Sequence, residues 1–428
     1  MDMSNQEVSR WSYYLVRTRD GVTQGRMEPA SPGSWARRLD NGSSGSHVFH
    51  LATYPEAWGR MRPARRTLVV CYDDEPVYAG VIWRATYSRN AGTVTLNHED
   101  IWSIWSLRQA SPRYLAEDDP DLLVKDTQIS YSGLTRRTLA KRIVELGMTG
   151  IVADPGAYTL PIVLPPDESG SWGRTFRTSD WLSVADRLHD LAGQGGPMQV
   201  DFAPVWQSAG NLAWELRVSH DISSPRVVLH ADVEQSPVLS LSVTNDVSEY
   251  ASEYQVTGSG QGSDVLHRYW SSSFLASDQV ALARVWSDGT IEDGDELSTL
   301  RDGLLERHTN ASVQVDCTVA VGPDINPANL LLGQPVIVRT NNDPILPAGD
   351  VETMLIGFSP DGPGSLKLEL SPVDGFTGHS VAEPSFHYRN LNVSRVQELG
   401  RRVGRAEHRL VYPAGGATAA STTTQEET

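Results

Sequence analysis

Cysteine is scarce in this 428-residue chain, and the two present, Cys71 and Cys317, each sit inside an apolar, strand-like run. A free cysteine in such a run behaves as a small buried hydrophobe, which excludes a disulfide framework and favours a reducing compartment. No staple is needed at this length, because two to four domains can each bury a core. Long apolar runs are missing too. No stretch approaches eighteen consecutive apolar residues, and the start, Met1-Asp2-Met3-Ser4-Asn5-Gln6-Glu7, lacks the basic and apolar regions of a secretory signal. A soluble protein made without a signal, and without membrane insertion, is expected.

Basic residues are the minority: 36 against 53 acidic ones, a formal net charge of -17. That balance opposes a nonspecific grip on nucleic acid, which depends on Lys and Arg neutralising phosphates. An acidic surface would suit a wall past which DNA slides, although acidity also commonly just keeps a protein soluble.

Catalytic and cofactor motifs are absent as well. The eleven histidines are scattered singly, with no His-Glu-x-x-His and no Cys/His pair at zinc spacing. Gly258-Ser259-Gly260-Gln261-Gly262 lacks the P-loop lysine and precedes extended rather than helical sequence, so it reads as a turn. Gly42-Ser43-Ser44-Gly45-Ser46 has the wrong spacing for a nucleophile elbow. His98-Glu99-Asp100 and Asp73-Asp74-Glu75 bring carboxylates close together, as a glycosidase would need, but turns between strands are where solvated acids normally lie. No catalytic residue, cofactor site or metal site is therefore assigned. The twelve tryptophans, with Trp102 and Trp105 close together, invite a carbohydrate-binding β-module as the alternative reading; alternating strand positions more often bury such rings in a core.

What the chain does have is a three-strand pattern that returns about 270 positions later. The first copy runs through Leu68–Tyr72, Val77–Trp83 and Thr93–Leu96; the second runs through Val336–Val338, Thr353–Phe358 and Leu366–Leu370. Each is a β-meander of short apolar or alternating runs parted by Asn, Asp and Gly turns. Any two meanders look alike at this level, so the repeat is an expectation for the structure to test.

Between the copies the character changes. Ser132 is placed to cap a helix carrying Leu139, Ile143, Val144 and Leu146 and stopped by Gly147; Thr178 or Ser179 is placed to cap a second, with Trp181, Leu182, Ala185, Leu188 and Leu191. Met198–Phe202 and Leu212–Val218 alternate around a Gly210-Asn211 hairpin turn. Ile101–Trp105 is expected to extend the preceding β-region, and a third helix is expected over 295–308. The divisions are 1–110 as a first β-domain, 111–236 as an inserted α+β domain, 237–376 as a second β-rich domain, 377–412 as a linker and helix, and 413–428 as a disordered tail. In the helix, roughly Ser394 to Leu410, Val396, Leu399, Val403, Ala406 and Leu410 form an a/d seam suited to a partner or to packing back on the same chain.

The order Trp35-x-Arg37-Arg38-Leu39-Asp40, a Gly-rich loop, a strand, Val77-Tyr78-Ala79-Gly80-Val81-Ile82 and a closing Leu96-x-x-Glu99-Asp100-Ile101 resembles the amino-terminal domain of tail hub proteins of long-tailed phages. More loosely the likeness extends over residues 10 to 375. It implies a mainly β (α+β) fold with two tail-tube-like β-barrel domains, an inserted small α+β domain and a C-terminal helix. It also implies a homotrimeric structural hub at the distal tip of a non-contractile virion tail, assembled in the bacterial host cytoplasm. Three subunits with two tube-like domains each would present six similar units and line a channel for transient passage of DNA. The expected partners are a distal tail ring, a tape measure protein and tip or receptor-binding proteins. Larger hubs carry fused wall-degrading or host-binding domains; here those tasks would fall to other tail proteins.

Overall fold

The computed structural model describes residues 10–372 except 40–41, 54, 56, 111–127, 149–157, 178–181, 193–197, 208–209, 219–226, 247–250, 261, 272–279, 288–293 and scattered positions between 296 and 363. In chain order the first part runs β1 (Trp11–Arg17), β2 (Thr23–Met27), β3 (Arg37–Arg38), β4 (Ser44–His50), α1 (Ala57–Arg60), β5 (Arg66–Tyr72), β6 (Glu75–Ser88), β7 (Thr93–Glu99) and α2 (Trp102–Trp105). The middle holds β8 (Gln128–Leu134), α3 (Arg136–Gly147), β9 (Ile162–Val163), β10 (Trp172–Arg177), α4 (Val184–Ala192), β11 (Val200–Gln207) and β12 (Asn211–Val218). The last part comprises β13 (Val227–His230), β14 (Val238–Asp246), β15 (Glu253–Thr257), β16 (His267–Ser271), β17 (Ala283–Ser287), β18 (Ser312–Ala320), β19 (Pro335–Thr340), β20 (Gly349–Pro360) and β21 (Ser365–Pro372).

The two meanders found in sequence are the centres of the two large sheets. The first sheet has the order β2-β1-β5-β6-β7-β4; the second has β13-β19-β20-β21-β18-β14. In both, a strand that precedes the meander in the chain (β4 or β18) crosses over to pair antiparallel with the meander's third strand (β7 or β21). In both, an earlier strand (β1 or β13) flanks the meander's first strand, antiparallel in one case and parallel in the other. Each central strand is the longest of its three, and each carries register shifts that bend it. The order of the central five strands, not merely the hydropathy, is therefore repeated, while the flanking strand's direction and the position of the outermost strand differ.

Bending lets each sheet close around an interior. Leu15, Met27, Phe49, Leu68, Ile82 and Val94, one from each of the six strands, meet in a single core. The second sheet likewise gathers Leu229, Val315, Val338, Leu355 and Leu368. The fold is mainly β, with two such curled, barrel-like sheets and α+β material between them.

β5 is buried on both faces, which accounts for its unbroken apolar run. Val69 and Cys71 face the middle unit, whereas Val70 and Tyr72 pack on the second sheet. The β5–β6 turn is made by Asp73 and Asp74, with φ of 50° and 64°. Aspartate tolerates this left-handed backbone, and a two-residue turn with both φ positive matches strand twist. Arg10 pairs with Asp73, and the Ser12 and Tyr14 hydroxyls donate to Asp74 at 3.0 and 3.2 Å, fixing the turn to β1.

In the middle unit the helices form where expected, but other residues cap them. Thr135, not Ser132, accepts from the Thr138 amide at 3.2 Å, because Ser132 is taken up in β8. Ser183, rather than Thr178 or Ser179, opens α4 in a reciprocal box: the Asp186 amide donates to Ser183 Oγ at 3.0 Å and the Ser183 amide to Asp186 Oδ2 at 3.1 Å. Ile101–Trp105 is not strand; it becomes α2, since its two tryptophans lie three apart and share one helical face turned into the core. The third expected helix, over 295–308, lies partly outside the described residues; Leu297 and Leu304 are buried with Tyr254 and Val256 of β15.

Candidate functional site

Where the three parts of the chain meet, a two-residue strand joins them. β3 adds to β20 of the second sheet, Arg38 opposite Gly357 and Arg37 opposite Phe358, and the Leu39 amide donates to Ile356 O at 2.9 Å. Successive residues on a strand point to opposite faces, so the two arginines diverge. Arg37 reaches Asp201 on β11 at 2.7 Å, with side-chain exposures of 9% and 5%. Arg38 turns outward to Glu369 on β21, Nη2 donating to Oε1 at 2.8 Å and Nε to Oε2 at 3.2 Å, as a planar guanidinium suits. Gly357 permits the approach: a Cβ there would lie 3.2 Å from Arg37 O and 2.7 Å from Glu369 Oε2. Trp35 completes the clip, stacking on Tyr78 at 5.7 Å and meeting Phe358 edge-on at 5.9 Å.

Beneath the clip, the first sheet encloses a file of polar groups. Tyr78 OH lies 2.9 Å from His98 Nδ1, and His98 Nε2 lies 2.8 Å from His47 Nδ1, all buried. Burial pushes His47 down to about 4; burial, then the neighbouring His47, pushes His98 down to about 3, so both rings are neutral at pH 7. Gly80 walls this file. A Cβ there would fall 2.6 Å from His98 Nδ1.

Asp100 ends β7's excursion into the interior. Its carboxylate accepts from the Ser43 amide (2.8 Å), Ser43 Oγ (2.6 Å) and the Trp102 amide (3.0 Å). Burial nonetheless pushes it up to about 7, with the charge of Asp201 adding to the rise. The sequence expectation that His98-Glu99-Asp100 lies in a solvated turn is thus corrected for His98 and Asp100, since β7 and the residue that follows it run under the β3–β4 segment. Asp73-Asp74-Glu75, by contrast, does occupy an exposed turn.

Between Arg37, Asp100, Asp201, Trp102 and Trp214 the remaining cavity is only about 10 Å³. The arrangement has no room for a substrate; what it does is hold β3, the middle unit and the second sheet in register. Trp102 and Trp105 are 5% and 0% exposed, so they furnish core rather than a glycan platform. The seam residues Val396, Leu399, Val403, Ala406 and Leu410 lie outside the described residues. Among the described residues there is no helix long and apolar enough to cross a membrane and no cluster of three potential metal ligands.

Sequence reasoning singled out Trp35–Asp40 but assigned it no contact. A partial signal was available on the other side: Asp201 stands between the apolar Val200 and Phe202, and a carboxylate that is buried needs a charge partner or several hydrogen-bond donors.

No protein-family model matches the chain, and no characterised protein matches it in sequence. Solved structures do match. The 43 kDa tail protein of prophage MuSo2 from Shewanella oneidensis superposes with a TM-score of 0.51 at 12% identity, over 88% of this chain and 99% of that one. A tail protein from Neisseria meningitidis MC58 gives 0.48 at 15% identity (84% and 96% covered), and prophage tail protein gp18 from Listeria monocytogenes EGD-e gives 0.43 at 8% (90% and 99% covered). The chain shares the fold of the Shewanella prophage tail protein along nearly its whole described length.

Proposed function

We propose that this chain is a non-catalytic structural subunit of a phage tail tip, a hub of the siphovirus-like kind. The observation that carries the proposal is the repeated core: two curled sheets whose central five strands follow the same order, in one chain that has a tail-protein fold. Three such chains in a closed ring present six similar units, which matches a six-fold tube or distal ring on one side and three-fold tip components on the other. On this reading the divisions are 1–110 and 237–376 as the tube-like domains, with 111–236 inserted between them. The seam of Val396, Leu399, Val403, Ala406 and Leu410 knits the trimer or docks a tip protein. The ring encloses the path of the DNA, and the protein works in the virion after assembly in the host cytoplasm with tape measure and receptor-binding proteins as neighbours.

Light scattering on the purified full chain, with two-dimensional class averages from electron microscopy, tests this. Three chains forming a ring of six similar lobes are expected. A compact monomer at all concentrations would refute the hub.

A further inference from the structure

One rim of the first sheet has a charge opposite to that of the molecule. Segments 57–72 and 76–98 contain Arg60, Arg62, Arg65, Arg66, Arg84 and Arg89 and neither aspartate nor glutamate, in a chain of net charge -17. None of the three lysines, Lys125, Lys141 and Lys367, lies there.

The fold concentrates these cations. Between α1 and β5 the chain makes a tight loop pinned by buried Met61, by the Ala64 amide donating to Ile82 O at 2.7 Å, and by the Thr18 amide donating to Arg65 O at 3.2 Å. Ala64 takes a left-handed φ of 59° within it. Arg66 lies opposite Arg17 in the β1–β5 ladder. Arg17, Arg62 and Arg65 are exposed around it. Burial and the like charge of those three neighbours hold Arg66 below its usual value, and Asp20 is the acid that opposes them. Asp20 is already engaged by Arg17 at 2.6 Å. Arg66 Nε is buried without a hydrogen-bond partner. Beside the loop, Trp58 on α1 and Tyr87 on β6 are 51% and 47% exposed, with ring centroids 6.2 Å apart.

We propose that this rim is a sequence-independent nucleic-acid contact: Arg62, Arg65 and Arg66 take backbone phosphates, and Trp58 with Tyr87 offers faces on which an unpaired base stacks. Forked guanidinium groups suit phosphate oxygens. Cations on a fixed loop with aromatic rings alongside are the combination that follows a strand without reading its sequence. The overall acidity does not oppose it. Charges are screened within about 8 Å at physiological ionic strength, so the rim acts locally while the acidic remainder keeps the strand off other surfaces. The inference goes beyond the hub reading and stands without it, since a monomer would bind as well.

Fluorescence anisotropy of the full-length protein with a labelled, mixed-sequence DNA single strand of about 20 nucleotides tests the contact. Saturable binding at low salt is expected, weakening roughly twenty-fold between 50 and 200 mM salt for about three phosphates. The double variant Arg62→Gln/Arg65→Gln should cut that salt slope by about two thirds, and Trp58→Ala should weaken binding by roughly tenfold. Arg10→Gln/Arg339→Gln makes the same change in net charge at other exposed positions and should leave binding within about twofold. No salt-dependent binding at low salt would overturn the proposal, as would equal weakening by the control pair. Displacement of the strand by polyglutamate at matched charge, with Trp58→Ala silent, would identify the rim instead as a site for an acidic protein surface.

Discussion

The two sheets share a central strand order but not an interior. In the second, the inward positions of β18 and β21 are Val315, Cys317, Val319, Leu366, Leu368 and Leu370, all essentially unexposed, and its fully buried Thr353 hydroxyl is satisfied by Val336 O at 2.7 Å. In the first, the same crossover places His47, Tyr78, His98 and Asp100 under the β3 clip. One architecture thus accommodates either an apolar interior or an apolar core with a file of polar groups set into it, even though His47 Nε2 is left without a hydrogen-bond partner. The difference teaches that topology is set by strand pairing, whereas sensitivity to pH and to single substitutions is set by what fills the sheet.

The clip between the sheets is where this contrast breaks most easily. Arg37→Ala strands Asp201 as an uncompensated buried charge and should cost about 3–5 kcal/mol in urea unfolding. Joint replacement by Arg37→Met and Asp201→Leu should restore most of that loss. A single-variant cost below about 1 kcal/mol would mean that the pair is not the joint described here.

Acid should separate the sheets next. His47 and His98 have folded values below the unfolded 6.5, so in the window from 6.5 down to about 4 and about 3 the unfolded chain binds protons that the native chain does not, and stability falls as pH falls. Asp100 works the other way. Its folded value of about 7 lies above the unfolded one, so its contribution is present at low pH and is lost as pH rises through about 7. Between pH 4 and 6.5 the three together predict a net gain of about 1.4 kcal/mol per pH unit, and Asp100→Asn should steepen it towards about 2.7. A flat melting-temperature profile in the wild type would remove the histidine file from the account.

Glycine substitutions sharpen the contrast further. Gly80→Ala pushes a methyl into Tyr78 and His98 and should destabilise by about 1–3 kcal/mol. Gly173→Ala, whose nearest neighbour is Tyr131 O at 3.0 Å, serves as a reference outside the first sheet and should cost less. Equal melting-temperature shifts would show that the file is not tightly walled. The smallest effect belongs to Arg38→Ala, the exposed partner of Glu369, at under about 1 kcal/mol. A larger loss by chemical denaturation would make the two adjacent arginines equivalent, against the burial difference.

Local pattern and spacing carried the meanders, the two middle helices and the repeat at about 270 positions. Alternation and turn residues are short-range signals, and Asp73-Asp74 or Gly92 act through their own backbone. Capping was less legible, because Ser132, Thr135 and Ser183 are equivalent as residue types and the competing strand β8 decides which is free. Burial of His98 and Asp100 was not legible at all: β7 alternates in the ordinary way, and only β3 and β4 lying across it turn an exposed edge into an interior. The net charge, a sum over the whole surface, likewise hid the arginine rim, which exists because the α1–β5 loop and the end of β1 converge.

The meander strands, the two middle helices, the repeat and the absence of a disulfide framework follow from the order of residues alone, since each depends on neighbours a few positions apart or on composition, whereas Ile101–Trp105 became a helix against its local reading. Which face of a strand meets another unit, which carboxylate is buried beside which guanidinium, and where like charges crowd depend on segments far apart in the chain. Arg37 and Asp201 are 164 positions apart, and Arg38 and Glu369 are 331. Such pairings arise when sheets pack, because burial and Coulomb energy are properties of three-dimensional proximity that no local pattern encodes.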